Sequence, residues 1–224
     1  MKDKRTALVL GATGLVGGEL VRLLNNDDAY TMIILPVRRN SDVSGEKVQQ
    51  HIIDFDRMEE QGHLFKVDDV FCCLGTTMKK AGSREAFKKI DYHYVVQAAK
   101  LAKNAGASRF LVITAMMANP RSSVFYNRVK GEVEEKLQTM GFEALHIFRP
   151  SLLLGERNEH RFAEELGMKI LPWLSFLMVG PARKYRPAKA EGVAFAMKTA
   201  ALENSQGIHI WESDSIIEMS RSGS

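Results

Sequence analysis

The chain has 224 residues, of which 45% are hydrophobic and 26% are charged, and its formal net charge is +4. These values are typical of a globular chain with one core and a small additional region, and they exclude disordered and fibrous proteins. Basic residues are scattered rather than clustered, and no apolar run reaches the ~20 residues of a membrane-spanning helix. We therefore expect neither a nucleic-acid partner nor a membrane partner.

The amino-terminal residues MKDKRTALVLGATG contain a short apolar run that does not reach the length of a signal-peptide core. Cys72 and Cys73 are adjacent, and because neighbouring strand residues point to opposite faces, no disulfide between them is expected. No grouping of Cys and His indicates a metal site. These features predict a cytoplasmic protein with reduced thiols and without a bound metal.

Apolar runs of strand length alternate with segments of helical periodicity. The runs are residues 6–10, 31–37, 48–54, 69–75, 109–115, 143–149 and 208–212, and the helical segments are residues 14–26, 56–65, 83–106, 124–141 and 187–202. The runs are continuously apolar, as in strands that are covered on both faces of a sheet. The alternation predicts an α/β fold with a doubly wound parallel sheet.

The long helical segment has apolar residues at intervals of three and four, which are expected to face inward: Phe87, Ile90, Tyr94, Ala98, Leu101 and Ala105. The regular pattern weakens after residue 149. We expect one domain over residues 1–224, with residues 150–190 as a small substrate-side region and residues 219–224 as a frayed tail. The apolar stretch 170–181 predicts either a substrate pocket or a homodimer contact.

The segment LVLGATGLVGGEL combines a strand end, three glycines and the start of an apolar helix. Gly11 would allow a tight turn, Gly14 would let a pyrophosphate approach the backbone, and Gly17 would let helix and strand pack closely. Thr13 can add a hydroxyl to the phosphate. In this context the glycines predict a Rossmann-type nucleotide site rather than a packing turn alone, with the spacing G-x-x-G-x-x-G.

The end of the second strand bears on the choice of nucleotide. An NAD site places an acidic residue about 20 residues beyond the glycine loop, where it holds the ribose hydroxyls. This chain has Arg38 and Arg39 there instead. Because arginine binds phosphate through charge-assisted bidentate hydrogen bonds, the pair predicts the 2′-phosphate of NADP(H); the alternative is two surface arginines.

Further cofactor contacts are expected where the third and fourth strands end, because such sheets bind ligands at the carboxyl ends of their strands. Asp54 would accept a hydrogen bond from the adenine amino group while Phe55 packs at the adenine edge. Leu74 and Gly75 would cover adenine and ribose.

Tyr126 and Lys130 stand four residues apart in a predicted helix that follows the fifth strand. One helical turn puts the two side chains on the same face. A neighbouring ammonium favours the phenolate, and such a phenol can exchange a proton with a carbonyl or an alcohol during hydride transfer. Thr114, at the end of the fifth strand, would orient the substrate oxygen. The alternative is an amphipathic core tyrosine.

The strings GATGLVG, CCLGTT, FYNRVKGEVE and FRPSLLLGERNEHR resemble the atypical branch of the short-chain dehydrogenase/reductase superfamily, and within it the Tat-interactive-protein-like oxidoreductases and their bacterial relatives. The resemblance covers nearly the whole chain and implies that Tyr126 is the acid/base. It also implies NADPH contacts from Thr13, Gly14, Leu15, Val16, Arg38, Arg39, Leu74, Gly75, Tyr126, Lys130, Leu153 and Arg161.

Two positions depart from the pattern of that family. Ala115 follows Thr114 where a second small hydroxyl is common, so that the orienting role would pass to Ser122 if the second hydroxyl is the working one. Asp91 stands where related reductases often have an asparagine that supports a proton relay.

Together these features predict an NADPH-dependent oxidoreductase that transfers hydride to or from a small carbonyl or alcohol. Two alternatives use the same residues: a non-catalytic NADPH-binding sensor that regulates a protein partner, and an epimerase or dehydratase that retains its cofactor. Arg157 and Arg161 would meet a phosphate or an anionic substrate, or else pair with Glu156 and Glu159.

Overall fold

The computed structural model describes residues 4–154, 186–203 and 205–221. Its strands are β1 (Arg5–Leu10), β2 (Tyr30–Val37), β3 (Val48–Ile52), β4 (Asp69–Cys72), β5 (Arg109–Ile113), β6 (Ala144–Arg149), β7 (Leu153–Leu154), β8 (Ala188–Lys189) and β9 (Gly207–Glu212). Its α-helices are α1 (Leu15–Asn25), α2 (Met78–Ala81), α3 (Arg84–Lys88), α4 (Val95–Asn104), α5 (Phe125–Gln138), α6 (Ala190–Leu202) and α7 (Ser213–Arg221). A 3₁₀-helical segment covers Phe55–Phe65, and a π-helical turn covers Lys89–Tyr94.

Seven strands form one parallel sheet in the order β3-β2-β1-β4-β5-β6-β9, and β7 pairs with β8 in a separate parallel pair. The predicted α/β fold with a doubly wound parallel sheet is therefore confirmed. The order reverses between β1 and β4, and in open α/β sheets such a switch point creates a crevice at the carboxyl ends of the strands. At this edge the loop after β1 packs against the loop after β4, where Gly11 lies against Cys73.

The inner strands of the sheet are buried on both faces, as their continuous apolar runs predict, whereas the edge strands β3 and β9 are half-buried or exposed along most of their length. Along β1, Ala7 and Val9 pack into one core, which also contains residues of α1, α6 and α7. Leu8 and Leu10 pack into a second core on the opposite face, together with residues of the 3₁₀ segment, α4 and α5. Neighbouring residues of a strand thus serve different layers, which is the alternation that a covered sheet requires.

One continuous helical path runs from α3 through the π-helical turn into α4. Its inward face differs from the predicted one: Asp91 and Val95 are buried, whereas Ile90, Tyr94 and Leu101 are only half-buried. A π-helical turn has more residues than an α-helical turn and so shifts the phase of the apolar face. The sequence prediction of a uniform helix over residues 83–106 missed this shift.

The structure also bears on the carboxyl-terminal predictions. Residues 219–221 belong to α7 and are not frayed, because Ile216 anchors that helix in the core without exposure to solvent. Most of the predicted substrate-side region, including residues 155–185, lies outside the described residues. In the described ranges, no helix has the length and apolar character needed to cross a membrane.

Candidate functional site

The glycine loop between β1 and α1 is closely packed against its surroundings. Gly11 has a φ of +77°, and a Cβ atom on it would lie 2.5 Å from the carbonyl oxygen of Cys73. A Cβ atom on Gly17 would lie 2.2 Å from the carbonyl oxygen of Gly11. Since real Cβ atoms do not approach other atoms so closely, Gly11 and Gly17 take the packing roles that the sequence predicts.

The amino terminus of α1 offers unpaired backbone donors at the same loop. Its first intrahelical bond runs from the Gly18 N–H to the Gly14 carbonyl, so the amides of Leu15, Val16 and Gly17 have no helical acceptor. No side chain caps this end, and no acidic residue lies in the first turn. Thr13 and Gly14 are exposed. An anion is the natural partner of such a helix end.

Arg38 and Arg39 follow β2 directly, on the edge of the sheet that carries the glycine loop. Both side chains are exposed, and neither forms a hydrogen bond or an ion pair with another of the described residues. The next acidic residue of the chain is Asp42, which is also exposed. The arginines therefore stand unpaired at the strand end where a nucleotide ribose would be recognised.

Asp54 and Phe55 sit at the start of the 3₁₀ segment and have contacts of their own. Asp54 is exposed, and its Oδ1 accepts a hydrogen bond of 2.9 Å from the Asp56 N–H. Phe55 is buried, and its ring centre lies 5.6 Å from that of Tyr94. The second Asp54 oxygen remains available to an adenine amino group, but Phe55 belongs to the protein core, and its contact with adenine stays a prediction.

The loop after β4 reaches the same crevice. Leu74 is half-buried and Gly75 is exposed. A Cβ atom on Gly75 would lie 3.6 Å from Asp91 Oδ1 and 3.7 Å from Lys130 Nζ. The space above Gly75 therefore borders two charged groups. Cys72 and Cys73, which precede this loop, are free thiols, and burial raises the pKa of Cys72 to about 12.

Helix α5 brings Tyr126 and Lys130 to this crevice from the far side. Tyr126 is half-buried, and its ring centre lies 5.4 Å from that of Phe87. Lys130 is only 4% exposed, and its Nζ lies 2.7 Å from Asp91 Oδ1. Burial opposes the charged form of Lys130, but the pKa of Lys130 is raised, because Asp91 and then Tyr126 favour the ammonium.

Thr114 also lies next to α5, but its hydroxyl is engaged elsewhere. The Thr114 Oγ1 donates a hydrogen bond of 2.6 Å to Glu134 Oε1, and Thr114 is 5% exposed. Glu134 in turn accepts hydrogen bonds from Arg149, which also bonds Glu212. A hydroxyl has a single proton, so Thr114 has none left for a substrate oxygen. This geometry favours a structural role over the predicted substrate-orienting one.

The remaining predicted site residues lie further along the chain. Leu153 is half-buried and belongs to β7, which pairs with β8 through Ala188. Arg161 lies outside the described residues, as do Arg157 and the apolar stretch 170–181. Ser122, the alternative hydroxyl, accepts a hydrogen bond of 3.2 Å from the Val124 N–H at the start of α5 and retains its own proton.

Two residues of the site were not predicted as inward-facing charges: Asp91 and Glu134. Both are carboxylates in helices, where the usual expectation is exposure to solvent. Glu134 stands four residues after Lys130, so the spacing alone puts these two on one face of α5. That spacing was the available signal, and the inward direction of this face became clear only in the folded structure.

Comparison with known proteins agrees with the predicted resemblance. Residues 7–216 match the model of the family described as NAD dependent epimerase/dehydratase family. The chain is 37% identical over 171 residues to Protein HTATIP2 of Rattus norvegicus, covering 75% of this chain and 70% of that protein. It is 36% identical over 200 residues to Protein FMP52, mitochondrial, of Meyerozyma guilliermondii, covering 88% and 85%.

The fold is also similar to solved structures. The Bordetella bronchiseptica enzyme WbmH in complex with NAD+ has a TM-score of 0.69 at 14% identity, covering 97% of this chain and 79% of that one. At this identity the similarity shows the fold alone.

One expectation is corrected by these comparisons. The predicted cytoplasmic location is contradicted by fungal relatives that carry the word mitochondrial in their names, among them the proteins of Meyerozyma guilliermondii and Candida albicans. The location was inferred from reduced cysteines and from the lack of a signal-peptide core. Both features are also compatible with compartments other than the cytoplasm, which is why the inference failed.

Proposed function

The chain belongs to the NAD dependent epimerase/dehydratase family, and from this membership we propose that it is an NADPH-dependent oxidoreductase acting on a small carbonyl or alcohol. Tyr126 acts as the acid/base, and Lys130, one helical turn away, holds the cofactor ribose. The bound nicotinamide supplies or accepts the hydride. The residues of the chain bind, orient and transfer the proton.

The observation that carries the proposal is the burial of Lys130 one helical turn from Tyr126, at the crevice that the glycine loop also lines. An ordinary surface lysine would point into solvent, since burying an ammonium is costly unless it is paired. Here Nζ is held 2.7 Å from a carboxylate, at a point that borders the exposed backbone of Gly75. An arrangement that carries this cost at a ligand crevice is typical of a functional site.

The choice of NADPH over NADH rests on Arg38 and Arg39. They are exposed and unpaired among the described residues, and no acidic residue occupies the end of β2. A 2′-phosphate would gain two guanidinium partners there, whereas the hydroxyls of NADH would find no carboxylate.

The proton-transfer step follows from the positions of the side chains. In the direction of reduction, the Tyr126 hydroxyl would give its proton to the carbonyl oxygen as the nicotinamide supplies a hydride to the carbonyl carbon, which would leave an alcohol and a phenolate. The ammonium of Lys130 stabilises that phenolate until a proton returns from solvent. Thr114 is bound to Glu134, so that Ser122 and Ser123 are the remaining hydroxyls of the β5–α5 loop, and we propose that Ser122 orients the substrate oxygen.

The test is NADPH oxidation against a panel of small aldehydes and ketones, with the wild type beside Tyr126→Phe. We expect the wild type to consume NADPH with at least one compound and the variant to be slower by about 100-fold or more, with cofactor affinity retained. Equal silence of both proteins with intact NADPH binding would contradict the proposal and favour a sensor. Nucleotide that stays bound through purification would favour epimerase-like chemistry.

A further inference from the structure

Asp91 and Lys130 form an ion pair in which both side chains are buried, whereas the other ion pairs among the described residues each have at least one partly exposed side chain. Their side chains are 0% and 5% exposed, and the Nζ–Oδ1 distance is 2.7 Å. The pair Lys88–Glu132 joins the same two helical regions, but its side chains are 42% and 29% exposed. Water screens the exposed pair, whereas Asp91 and Lys130 interact in a medium of low dielectric constant.

The π-helical turn explains how a carboxylate comes to face inward. Asp91 lies in the middle of the turn Lys89–Tyr94, and its neighbours Ile90 and Tyr92 are both less buried. Such turns are rare within α-helices and occur frequently at functional sites. The distortion thus lies at the residue that forms the ion pair with Lys130.

The second carboxylate oxygen of Asp91 connects the Asp91–Lys130 pair to the loop after β4. Asp91 Oδ2 accepts a hydrogen bond of 2.9 Å from the backbone N–H of Thr76. Thr76 follows Gly75, above which the ion pair borders open space. Asp91 therefore connects three elements: the π-helical turn, the loop after β4, and α5 through Lys130.

The titratable groups around the Lys130 ammonium come from three elements. Asp91 faces it from the π-helical turn, Tyr126 from α5 and Cys72 from the end of β4. The Cys72 thiol is neutral in the physiological range, because burial raises its pKa to about 12. Asp91 is therefore the group that supplies a full negative charge to balance Lys130.

From this geometry we propose that Asp91 is a positioning residue, which keeps Lys130 charged and pointing at the space above Gly75 before the cofactor binds. The part of this proposal that concerns cofactor binding rests on the proposed function. With Asp91 in place, cofactor binding through Lys130 does not depend on pH in the physiological range. Without it, burial, which is the strongest influence on the lysine, outweighs the smaller contribution of Tyr126 and lowers the pKa of Lys130, so that the ammonium is lost as the pH rises.

The decisive variant is Asp91→Asn, which keeps an oxygen acceptor for the Thr76 N–H and removes only the charge. Glu132→Gln is the matched control, because it removes the exposed ion pair with Lys88. The charge of Lys130 is followed without any cofactor, by NMR of lysine labelled with ¹³C at Cε, and Lys130→Met identifies its signal.

We expect the Lys130 signal to stay constant between pH 7 and 9 in the wild type and in Glu132→Gln, and to titrate in Asp91→Asn. Over the same range the Kd for NADPH should rise about tenfold in Asp91→Asn, the magnitude of a hydrogen bond from a charged group, and change little in the other two proteins. The double variant Asp91→Asn/Lys130→Arg, whose guanidinium cannot lose its proton, should be independent of pH again.

Several results would overturn the proposal. A Lys130 signal that titrates below pH 9 in the wild type would overturn the proposal, and this measurement needs no variant, so it decides even if Asp91→Asn does not fold. A Lys130 that stays charged up to pH 9 in Asp91→Asn would also overturn the proposal. A wild type that binds no NADPH at any pH would contradict the proposed function and the role of Asp91 in cofactor binding. The NMR titration would still decide whether Asp91 controls the charge of Lys130.

Discussion

At the scale of single residues, Gly17 shows how far packing constrains this site. It lies in the first turn of α1, where its missing side chain lets the helix touch the carbonyl oxygen of Gly11. Gly18 follows it in the same turn, but a Cβ atom there would lie 3.4 Å from the Ala12 carbonyl oxygen, close to ordinary contact. Packing thus requires glycine at position 17 but not at position 18.

Gly17→Ala and Gly18→Ala should therefore have opposite effects. In Gly17→Ala the added methyl meets backbone at 2.2 Å, so the loop must shift, and we expect a loss of stability of about 2 kcal/mol or more together with weaker NADPH binding. In Gly18→Ala we expect unchanged or higher stability, since alanine favours a helix by up to about 1 kcal/mol over glycine. Urea unfolding and fluorescence titration with NADPH measure both quantities. Equal behaviour of the two variants would contradict the packing described for Gly17.

Local sequence predicts the role of a residue when its contacts come from residues only a few positions away in the chain. The turn at Gly11 and the close approach at Gly17 follow from strand, loop and helix in succession. Asp91 and Glu134 could not be predicted in the same way, because each is buried by partners that are distant in sequence, Lys130 and Arg149. A carboxylate is buried only where a cationic partner pairs with it in the folded structure, and hydrophobic periodicity does not indicate which residue that partner is.

At the scale of elements, α5 is held against the sheet by two charged residues one turn apart. Lys130 pairs with Asp91 of the π-helical turn. Glu134 pairs with Arg149 of β6 and also accepts a hydrogen bond from the hydroxyl of Thr114, which follows β5. The two pairs lie on the same face of the helix and lead to different neighbours. Together they fix the rotation of α5 about its axis, and with it the direction of Tyr126.

Thr114→Val tests whether Thr114 serves this anchoring or the substrate. The variant keeps the shape of the side chain and removes the hydrogen bond to Glu134, so we expect unfolding to become easier by about 1 kcal/mol. Turnover of the compound that the carbonyl panel identifies should change little. Chemical unfolding and steady-state kinetics on the same preparation separate the two roles. A large fall in kcat with unchanged stability would show instead that the hydroxyl orients the substrate.

The elements themselves were largely predictable, and their ends were not. The seven apolar runs correspond to the seven strands of the sheet, but the runs 69–75 and 109–115 extend beyond β4 and β5. The surplus residues include Leu74, Gly75 and Thr114, which lie in the loops that line the crevice. An apolar run does not reveal where the chain leaves the sheet, since loop residues at a buried site are apolar too. The short strands β7 and β8 were missed because two-residue pairings leave no periodic signal.

At the scale of the whole molecule, the two ends of the sheet carry different chemistry. At the amino end, Asp69 is fully buried and accepts hydrogen bonds from Arg5 and Tyr30, an arrangement that joins β1, β2 and β4. At the carboxyl end lie the amides of the first turn of α1, the Arg38 and Arg39 side chains, which have no partner among the described residues, and the Asp91–Lys130 pair. The Asp69 carboxylate at the first end is satisfied within the protein, whereas the amides and the two arginines at the second end leave room for an anionic ligand.

The doubly wound sheet and the family resemblance were predicted from the sequence and are confirmed. They follow from the alternation of strands and helices and from the motifs of the chain, whereas the position of the nucleotide crevice, which rests on a rule that places ligands at the strand ends, stays a prediction. The cytoplasmic location was wrong, because composition does not report where a chain is sent. Substrate choice is beyond the sequence for another reason: it depends on how residues far apart in the chain shape the space beyond Tyr126.

The central claim is that this crevice binds NADPH through the glycine loop and the two arginines after β2. Calorimetric Kd values for NADPH and NADH test it most directly, with the wild type beside Arg38→Ala/Arg39→Ala and with Arg22→Ala, an exposed arginine on the last turn of α1, as control. We predict that the wild type and the control bind NADPH at least about tenfold more tightly than NADH, and that the double variant loses this preference. Equal affinities of the wild type for the two nucleotides would contradict the account.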